Sequence, residues 1–163
     1  MAPVAVEIVP EMHPLAALLG TWVGEGRGEY PTLTSFVYKE RLTFENLGKS
    51  FFTYRQRTSR PDGFPLHAED GFVRLRDGVV QLAAAHSTGI VEISEGRLDV
   101  DDEGSLRFAL TARTVAGTST ALQVDALARE FVVAGDALRY TLDMGAVGVS
   151  ITRHLEASFT RAG

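Results

Sequence analysis

Residues 20–31 read Gly20-Thr21-Trp22-Val23-Gly24-Glu25-Gly26-Arg27-Gly28-Glu29-Tyr30-Pro31. Glycine occupies every second position from Gly24 to Gly28, so three successive side chains are missing from one face of this predicted strand. Such a strand lets a second backbone, or a flat ligand, approach unusually closely. The stretch therefore predicts a barrel with room inside it.

Most of the remaining chain alternates apolar and polar residues with a period of two, which is typical of short strands. Turn signals separate these segments at Asp77-Gly78, Glu95-Gly96 and Gly135-Asp136. Residues 13–20 instead predict one or two helical turns before the first strand. The pattern indicates an all-β protein: a single ten-stranded antiparallel β-barrel with a short N-terminal helical turn, and an open sandwich is the alternative.

The 163 residues are enough for one domain, which we place at 11–163, after a disordered tail at 1–10. A net charge of −5 argues against nucleic acid as a partner, and no apolar run is long enough to cross a membrane. The start of the chain lacks the features of a secretion signal, so we expect a cytoplasmic protein. Cysteine is absent, which excludes disulfides and thiolate metal sites.

Several positions expected on the inside of the barrel carry small residues. They are Gly24, Gly26, Gly28, Ala83 and Ala85, or their neighbours. Because about eight or more strands leave an interior that holds either side chains or one small molecule, this pattern is consistent with a cavity. Tight coiling of the sheet is the alternative explanation for the same residues.

The four histidines, His13, His67, His86 and His154, are the candidates for metal binding and acid–base chemistry. Their spacing matches no site built wholly from protein ligands. A single histidine per metal is what haem requires, because the porphyrin supplies four nitrogens. His13 precedes a proline at the helical turn, and we interpret it as a cap or surface residue.

Strand periodicity gives the other candidates different orientations. His86 shares parity with Val80 and Leu82, so it points toward the apolar side and either contacts a ligand or bonds to the backbone. The direction of His67 is ambiguous because a bulge at the nearby glycine would reverse it. Met144 belongs to an apolar face and is predicted to be internal.

His154 is the difficult case. The apolar residues around it are Ile151, Leu155, Ala157 and Phe159. Simple alternation therefore places His154 on the polar, exposed side of its strand. It reaches a ligand only if the strand begins after it or if it lines the barrel opening.

The chain resembles the nitrobindin family, small β-barrels that hold a haem by one histidine, over nearly its whole length from His13 onward. The matching pieces are Gly20-x-Trp22-x-Gly24-x-Gly26, Gly28, Tyr30-Pro31-Thr32, Phe36, Gly48-Lys49, Pro65-Leu66-His67-Ala68-Glu69, Ser87-Thr88-Gly89, Arg129-Glu130-Phe131 and His154-Leu155-x-Ala157. The initial Gly-x-Trp motif alone is weak evidence for this family, because lipocalins and fatty-acid-binding proteins also begin with it. The combination of motifs is specific to the family.

The resemblance implies a ten-stranded barrel that binds one ferric b-type haem, with His154 as the axial metal ligand and catalytic residue. It also implies that Thr32 contacts the haem and that His67, His86 and Met144 line the cavity. The implied activity is isomerisation of peroxynitrite to nitrate, with reversible binding of nitric oxide. Such a protein needs only small-molecule partners and is a monomer or homodimer.

Two other functions remain open from the sequence. A non-enzymatic, lipocalin-like carrier of a fatty acid or another apolar ligand would need side chains that hold a carboxylate, and Arg113, Arg129 and Tyr140 are the candidates. A sensor of nitric oxide or haem would need a partner, because no output domain is recognisable in this sequence.

Overall fold

The computed structural model describes residues 5–163 and forms a closed, ten-stranded antiparallel barrel. The elements in chain order are a 3₁₀ helix (Pro10–Leu18), β1 (Gly20–Tyr30), β2 (Leu33–Lys49), β3 (Phe51–Ser59), β4 (Pro65–Arg76), β5 (Val79–His86), β6 (Ile90–Val100), β7 (Leu106–Gly117), β8 (Val124–Ala134), β9 (Ala137–Ala146) and β10 (Val149–Arg161). Each strand pairs with its neighbours in sequence, and β1 pairs with β10 to close the ring. The predicted barrel is confirmed, and the open sandwich is wrong.

The N-terminal helix lies at one end of the barrel and packs into its core. Met12, Leu15 and Leu18 are fully buried, and their spacing of three matches the three residues per turn of a 3₁₀ helix. The indole nitrogen of Trp22 donates a hydrogen bond to the Leu18 carbonyl at 2.9 Å. Because the helix precedes β1, it stands at the end opposite the β1–β2 turn.

The glycines of β1 are needed for close approach. A Cβ on Gly24 would lie 1.9 Å from the Ser158 carbonyl oxygen of β10, which is far inside van der Waals contact. A Cβ on Gly28 would lie 2.1 Å from the Phe36 ring of β2. The space that glycine leaves is therefore filled by the protein itself, by backbone at one position and by an aromatic ring at the other.

One predicted turn is wrong. Glu95 and Gly96 lie inside the continuous strand β6 rather than between two shorter strands. A Cβ on Gly96 would lie 1.6 Å from the Ala109 carbonyl oxygen of β7. Glycine is present here because the neighbouring backbone is close, a role that looks like a turn signal in the sequence.

The tail expected at residues 1–10 falls partly outside the described residues, which begin at residue 5. The Asn46 side chain donates a hydrogen bond to the Val6 carbonyl at 2.9 Å, and Ile8 and Val9 pack against the core. Disorder of this tail stays a prediction.

Residues 5–163 contain no helix with the length and apolar character that a membrane span requires.

Substitution of Gly24 by alanine tests the close contact between β1 and β10. We expect Gly24→Ala to lower the free energy of unfolding by about 1–3 kcal/mol, because the backbone of β10 must move to admit a methyl group. Denaturant unfolding measures this loss. The control is Glu25→Ala at the adjacent exposed position, which should stay within about 0.5 kcal/mol of the parent; equal effects would contradict the proposed contact.

Candidate functional site

A cavity of about 1210 Å³ opens at the end of the barrel opposite the helix. It is larger than the roughly 300–1,000 Å³ of most small-molecule sites. One wall, on β8, β9 and β10, is mainly apolar and includes Leu127, Leu142, Met144 and Leu155. The facing wall, on β3 to β5, is polar and includes Gln56, Thr58, His67, Glu69 and His86, while β2 adds the aromatic side chains of Phe36 and Tyr38 beside it. A ligand here therefore meets two chemically different sides.

All five site residues expected from the sequence line this cavity, namely Thr32, His67, His86, Met144 and His154. His13 does not: it is exposed on the N-terminal helix, where its Nε2 lies 2.9 Å from the Ile8 carbonyl oxygen. Of the alanines expected inside, Ala83 and Ala85 are exposed and their neighbour Ala84 faces inward. The cavity is confirmed as a space, while the roles of its lining residues stay predictions.

A β-bulge turns His154 toward the cavity. In the β9–β10 ladder Arg153 pairs with Asp143 and Leu155 pairs with Leu142, so His154 is an extra residue without a partner on β9. The bulge shifts the alternation by one residue, and both His154 and Leu155 line the cavity. Strand β10 begins before His154, at Val149. The exposed placement expected from simple alternation is wrong for that reason.

The same change of parity moves Ile151 out of the apolar stripe. Ile151 precedes the bulge and is about half exposed, at 51%. Ala157 and Phe159 follow the bulge and are buried. The stripe expected across all of β10 therefore exists only after residue 154.

Neighbouring groups fix the orientation and tautomer of His154. Its Nδ1 lies 2.9 Å from the Glu29 carbonyl oxygen of β1. A carbonyl oxygen only accepts hydrogen bonds, so Nδ1 carries the proton and donates it, and Nε2 keeps a free lone pair in the neutral ring. The Tyr30 ring packs edge-on against the imidazole, with centroids 5.3 Å apart. This arrangement is typical of a histidine that ligates a metal through Nε2.

His67 and His86 belong to the opposite wall. Four strands separate β5 from β10 in either direction around the ring, so His86 stands across the barrel from His154. The two rings on this wall pack edge-on, with centroids 5.4 Å apart. Glu69 pairs with His86 across β4 and β5, and His67 points the same way as Glu69. The ambiguity in the direction of His67 is resolved: it faces inward.

Behind His86 lies a buried network of charged groups centred on Arg129. The Arg129 guanidinium donates to Glu69, at 2.7 and 3.1 Å, and to Glu92, and its side chain is fully buried. The ring nitrogens of His86 lie 3.1 Å from Glu69 and 2.8 Å from Glu92. Tyr54 donates to Glu69 at 2.6 Å. These contacts tie β3, β4, β5, β6 and β8 together beneath the cavity.

Both carboxylates of this network are ionised at neutral pH. Burial alone would raise the pKa of Glu69, but the adjacent Arg129 holds that pKa well below its usual value. Burial opposes ionisation of Glu92 as well, and Arg129 together with the hydrogen bond to His86 lowers its pKa to about 2. The charge of Arg129 is thus already balanced from within the protein.

The pairing of Arg129 with Glu69 and Glu92 disfavours two other possible sites, one for a metal ion and one for a fatty-acid carboxylate. His67, Glu69 and His86 each offer one ligand atom within 4.8 Å of the others, but Arg129 contacts the same carboxylate and opposes a second cation there. Arg129 is also unsuited to bind a fatty-acid carboxylate, because Glu69 and Glu92 already pair with its guanidinium. Of the two other candidate anchors, Arg113 is exposed on the outer wall and pairs with Glu95 at 3.1 Å. The buried Tyr140 hydroxyl accepts a hydrogen bond from Arg129 at 2.9 Å. The carrier alternative therefore lacks the anchor that it needs.

Within this network the sequence named His86 as a cavity residue and Arg129 as an anchor for a carboxylate, but it named neither Glu69 nor Glu92 as a partner of Arg129. A signal for buried charge nevertheless exists. Glu92 lies between the buried Ile90 and Ser94 on the inner face, and Arg129 lies between the buried Leu127 and Phe131. A charged residue at a core position must be paired, so its placement predicts a buried partner. The sequence does not say which strand provides it.

Glu40 is a further buried carboxyl group, separate from Arg129. It is 4% exposed, and its Oε1 accepts a hydrogen bond from the Gln56 amide at 3.0 Å. Burial is the main cause that raises the pKa of Glu40 to about 8, and nearby Glu69 adds to it. Glu40 is therefore a neutral acid over most of the physiological pH range.

Removal of Arg129 tests whether the network stabilises the barrel. We expect Arg129→Met to lower the free energy of unfolding by about 3–5 kcal/mol, since two buried carboxylates lose their counter-charge. Urea unfolding at neutral pH gives the value. The control is Arg107→Met, which removes an exposed pair with Glu130 and should cost about 0–1 kcal/mol. A small loss for both variants would mean that the buried charges are neutralised in another way.

The raised pKa of Glu40 predicts a pH dependence of stability. Between about 4.5 and about 8 the unfolded chain loses this proton while the folded protein keeps it, so rising pH favours unfolding. The contribution approaches about 1.4 kcal/mol per pH unit in that window. Unfolding free energies measured from pH 5 to 8 should show this decline in the parent and in the exposed control Glu25→Gln, and lose it in Glu40→Gln. Parallel curves for all three proteins would refute the assignment.

Comparisons with known proteins agree with the fold and the cavity. The family model described as "THAP4-like, heme-binding beta-barrel domain" matches residues 11–161. A protein named peroxynitrite isomerase from Nocardia farcinica is 48% identical over 159 residues, covering 96% of this chain and 94% of the relative. Peroxynitrite isomerase 2 of Mycobacterium ulcerans is 43% identical, covering 95% and 97%. The crystal structure of Rv2717c from M. tuberculosis superposes with a TM-score of 0.93 at 40% identity, covering 96% of this chain and all of that one. This chain therefore belongs to the THAP4-like, heme-binding beta-barrel family, the nitrobindins that its motifs resemble.

Proposed function

We propose that this protein binds one b-type haem in its cavity through His154 and isomerises peroxynitrite to nitrate. The observation that carries the proposal is the free Nε2 lone pair of His154, which the hydrogen bond from Nδ1 to Glu29 leaves available at the cavity wall. Membership of a haem-binding family and the names of the relatives support the same reading.

The donor set and the cavity fit a haem. Imidazole is a common iron ligand, and a porphyrin needs only one such ligand from the protein. The volume exceeds that of most small-molecule sites, and the apolar wall with Met144 and Leu155 suits a flat aromatic macrocycle. Thr32, in the turn between β1 and β2, lines the mouth and is placed to contact the edge of such a ligand.

When bound, the haem would supply a Lewis-acidic ferric iron for a small oxygen-containing ligand or for nitric oxide. His154 would hold the iron through Nε2, and the Glu29 carbonyl keeps the imidazole in the tautomer and orientation that this bond requires. The apolar wall limits the access of water.

The polar wall provides the groups that face a substrate. His67 is about one quarter exposed, with Nε2 3.5 Å from Glu69 and Nδ1 3.4 Å from the Ser87 hydroxyl, so its ring must turn away from one of these groups to donate to an oxyanion in the cavity. His86 is nearly buried between Glu69 and Glu92 and is held more firmly. Because isomerisation consumes no net proton or electron, these residues need only bind and orient the substrate.

A titration with haemin tests the role of His154. We expect the parent to bind haemin with the Soret absorbance of a histidine-ligated ferric haem, and His154→Ala to lose that spectrum. The loss of affinity should exceed the roughly 10–100-fold typical of losing a group that merely orients a metal ligand. Stopped-flow decay of peroxynitrite and the yield of nitrate, measured on the same samples, should fall with haem occupancy.

The matched control is His13→Ala, which removes an exposed histidine outside the cavity. It should keep the spectrum, the affinity and the rate of the parent. If His154→Ala behaves like this control, His154 is not the ligand. If the parent and His13→Ala bind haemin as expected but neither accelerates peroxynitrite decay, haem binding stands and the proposed activity does not.

A further inference from the structure

Three buried polar atoms of β2 and β3 have no hydrogen-bond partner of good geometry among the described residues. They are Tyr38 Oη, Glu40 Oε2 and Gln56 Oε1, and each residue is at most 4% exposed. The three side chains are neighbours, because the Tyr38 hydroxyl interacts with the Glu40 carboxyl and the Gln56 amide donates to Glu40 Oε1. Folded proteins pair nearly all of their buried polar atoms with protein groups or ordered water, so this cluster is a candidate site for a bound water.

The fold brings these atoms to the edge of the cavity. Tyr38 and Glu40 are successive inward residues of β2, and Gln56 on β3 reaches back to Glu40. Tyr38 and Gln56 line the cavity, whereas Glu40 does not. The Glu40 carboxyl thus lies behind two side chains that a cavity ligand can touch, and its second oxygen is still unpaired.

The chemistry of the three atoms selects the ligand. A tyrosine hydroxyl donates and accepts, a neutral carboxylic acid donates from one oxygen, and an amide oxygen only accepts. An anion would meet the Gln56 oxygen and the nearby Glu69 carboxylate, and a cation would meet neutral groups with Arg129 behind them. A water molecule both donates and accepts, so its chemistry suits each of the three atoms.

We propose that Tyr38, Glu40 and Gln56 form a polar subsite, distinct from His154, that holds a water molecule at the cavity wall and exchanges the Glu40 proton with the cavity through that water. The transfer is balanced: Glu40 Oε2 gives a proton to the bound water as that water passes one of its own protons to a solvent water in the cavity, and the reverse steps restore the acid. No electron moves. The proposal goes beyond the haem chemistry and does not depend on it.

The groups around Glu40 set its pKa in the range where it exchanges a proton near neutral pH. The titratable and charged groups that face it are Tyr38 on its own strand, Glu69 on β4, Arg129 on β8 and Tyr140 on β9. Burial and Glu69 favour the protonated form, while Arg129 and the hydrogen bond from Gln56 favour the carboxylate. The result is a pKa of about 8, close to the range in which acid–base groups work best.

Infrared difference spectroscopy of the full chain, with and without haemin, tests the proton exchange. At pH 7 the carbonyl stretch of a protonated carboxylic acid should be present in the parent, absent in Glu40→Gln and lost as the pH rises through about 8. On transfer to D₂O this band should shift promptly, because water reaches the acid without unfolding. A shift only as slow as the exchange of core backbone amides would show a sealed, dry carboxyl and overturn the proposal.

The bound water itself is tested with Tyr38→Phe, which removes one hydroxyl and leaves Glu40 in place. Magnetisation transfer from water to the Gln56 side-chain amide protons should be strong in the parent and weaker in this variant, and deuteration of the acid should slow. Identical behaviour of the two proteins would exclude the water contact with Tyr38. Since all of these measurements work on haem-free protein, a failure of haem binding cannot imitate a failure of the subsite, and Tyr38→Phe decides the question even if Glu40→Gln does not fold.

Discussion

The pairing of β1 with β10 is the contact on which the rest of the molecule depends. It closes the ring, and it is possible at this distance only because Gly24 presents no side chain to the backbone of β10. The same ladder brings the Glu29 carbonyl to the imidazole of His154, which sets the tautomer of the ring. Barrel closure and the orientation of the His154 imidazole, the metal ligand that we propose, therefore have the same geometric cause. A change that separates these two strands would remove both.

The second constraint is electrostatic. Arg129, Glu69 and Glu92 lie in a low-dielectric interior, where an unpaired charge would be far more costly than the paired arrangement. The two carboxylates outnumber the one guanidinium, so these three groups carry a formal charge of −1 and Arg129 has no free charge to offer a large anion. That property separates this barrel from carriers that hold a carboxylate by a buried arginine. His67 and His86 contribute the imidazoles of the polar wall.

The alternation of apolar and polar residues is a local signal, so strands and the barrel class could be predicted from the sequence. The motifs around Thr32, His67 and His154 predicted the candidate site through their resemblance to a known family. Strand alternation alone predicted that His154 points outward. A bulge adds one residue to one strand. The dipeptide Arg153-His154 has no sequence signal for such a bulge, which can be recognised only when the pairing with β9 is known. The Arg129 network was out of reach for a related reason: Glu92 is 37 positions away and Glu69 is 60, and only ring closure brings them together.

Ring closure also limits how this protein can associate. Within residues 5–163 each of the ten strands has hydrogen-bonded neighbours on both sides, so the native barrel offers no open sheet edge to a foreign strand. Any complex must instead be formed through side chains on the outer wall or at the mouth of the cavity. Local separation of β1 from β10 would uncover two complementary edges at once, one on each strand. Opening of this seam would therefore expose the edges that strand exchange between copies requires.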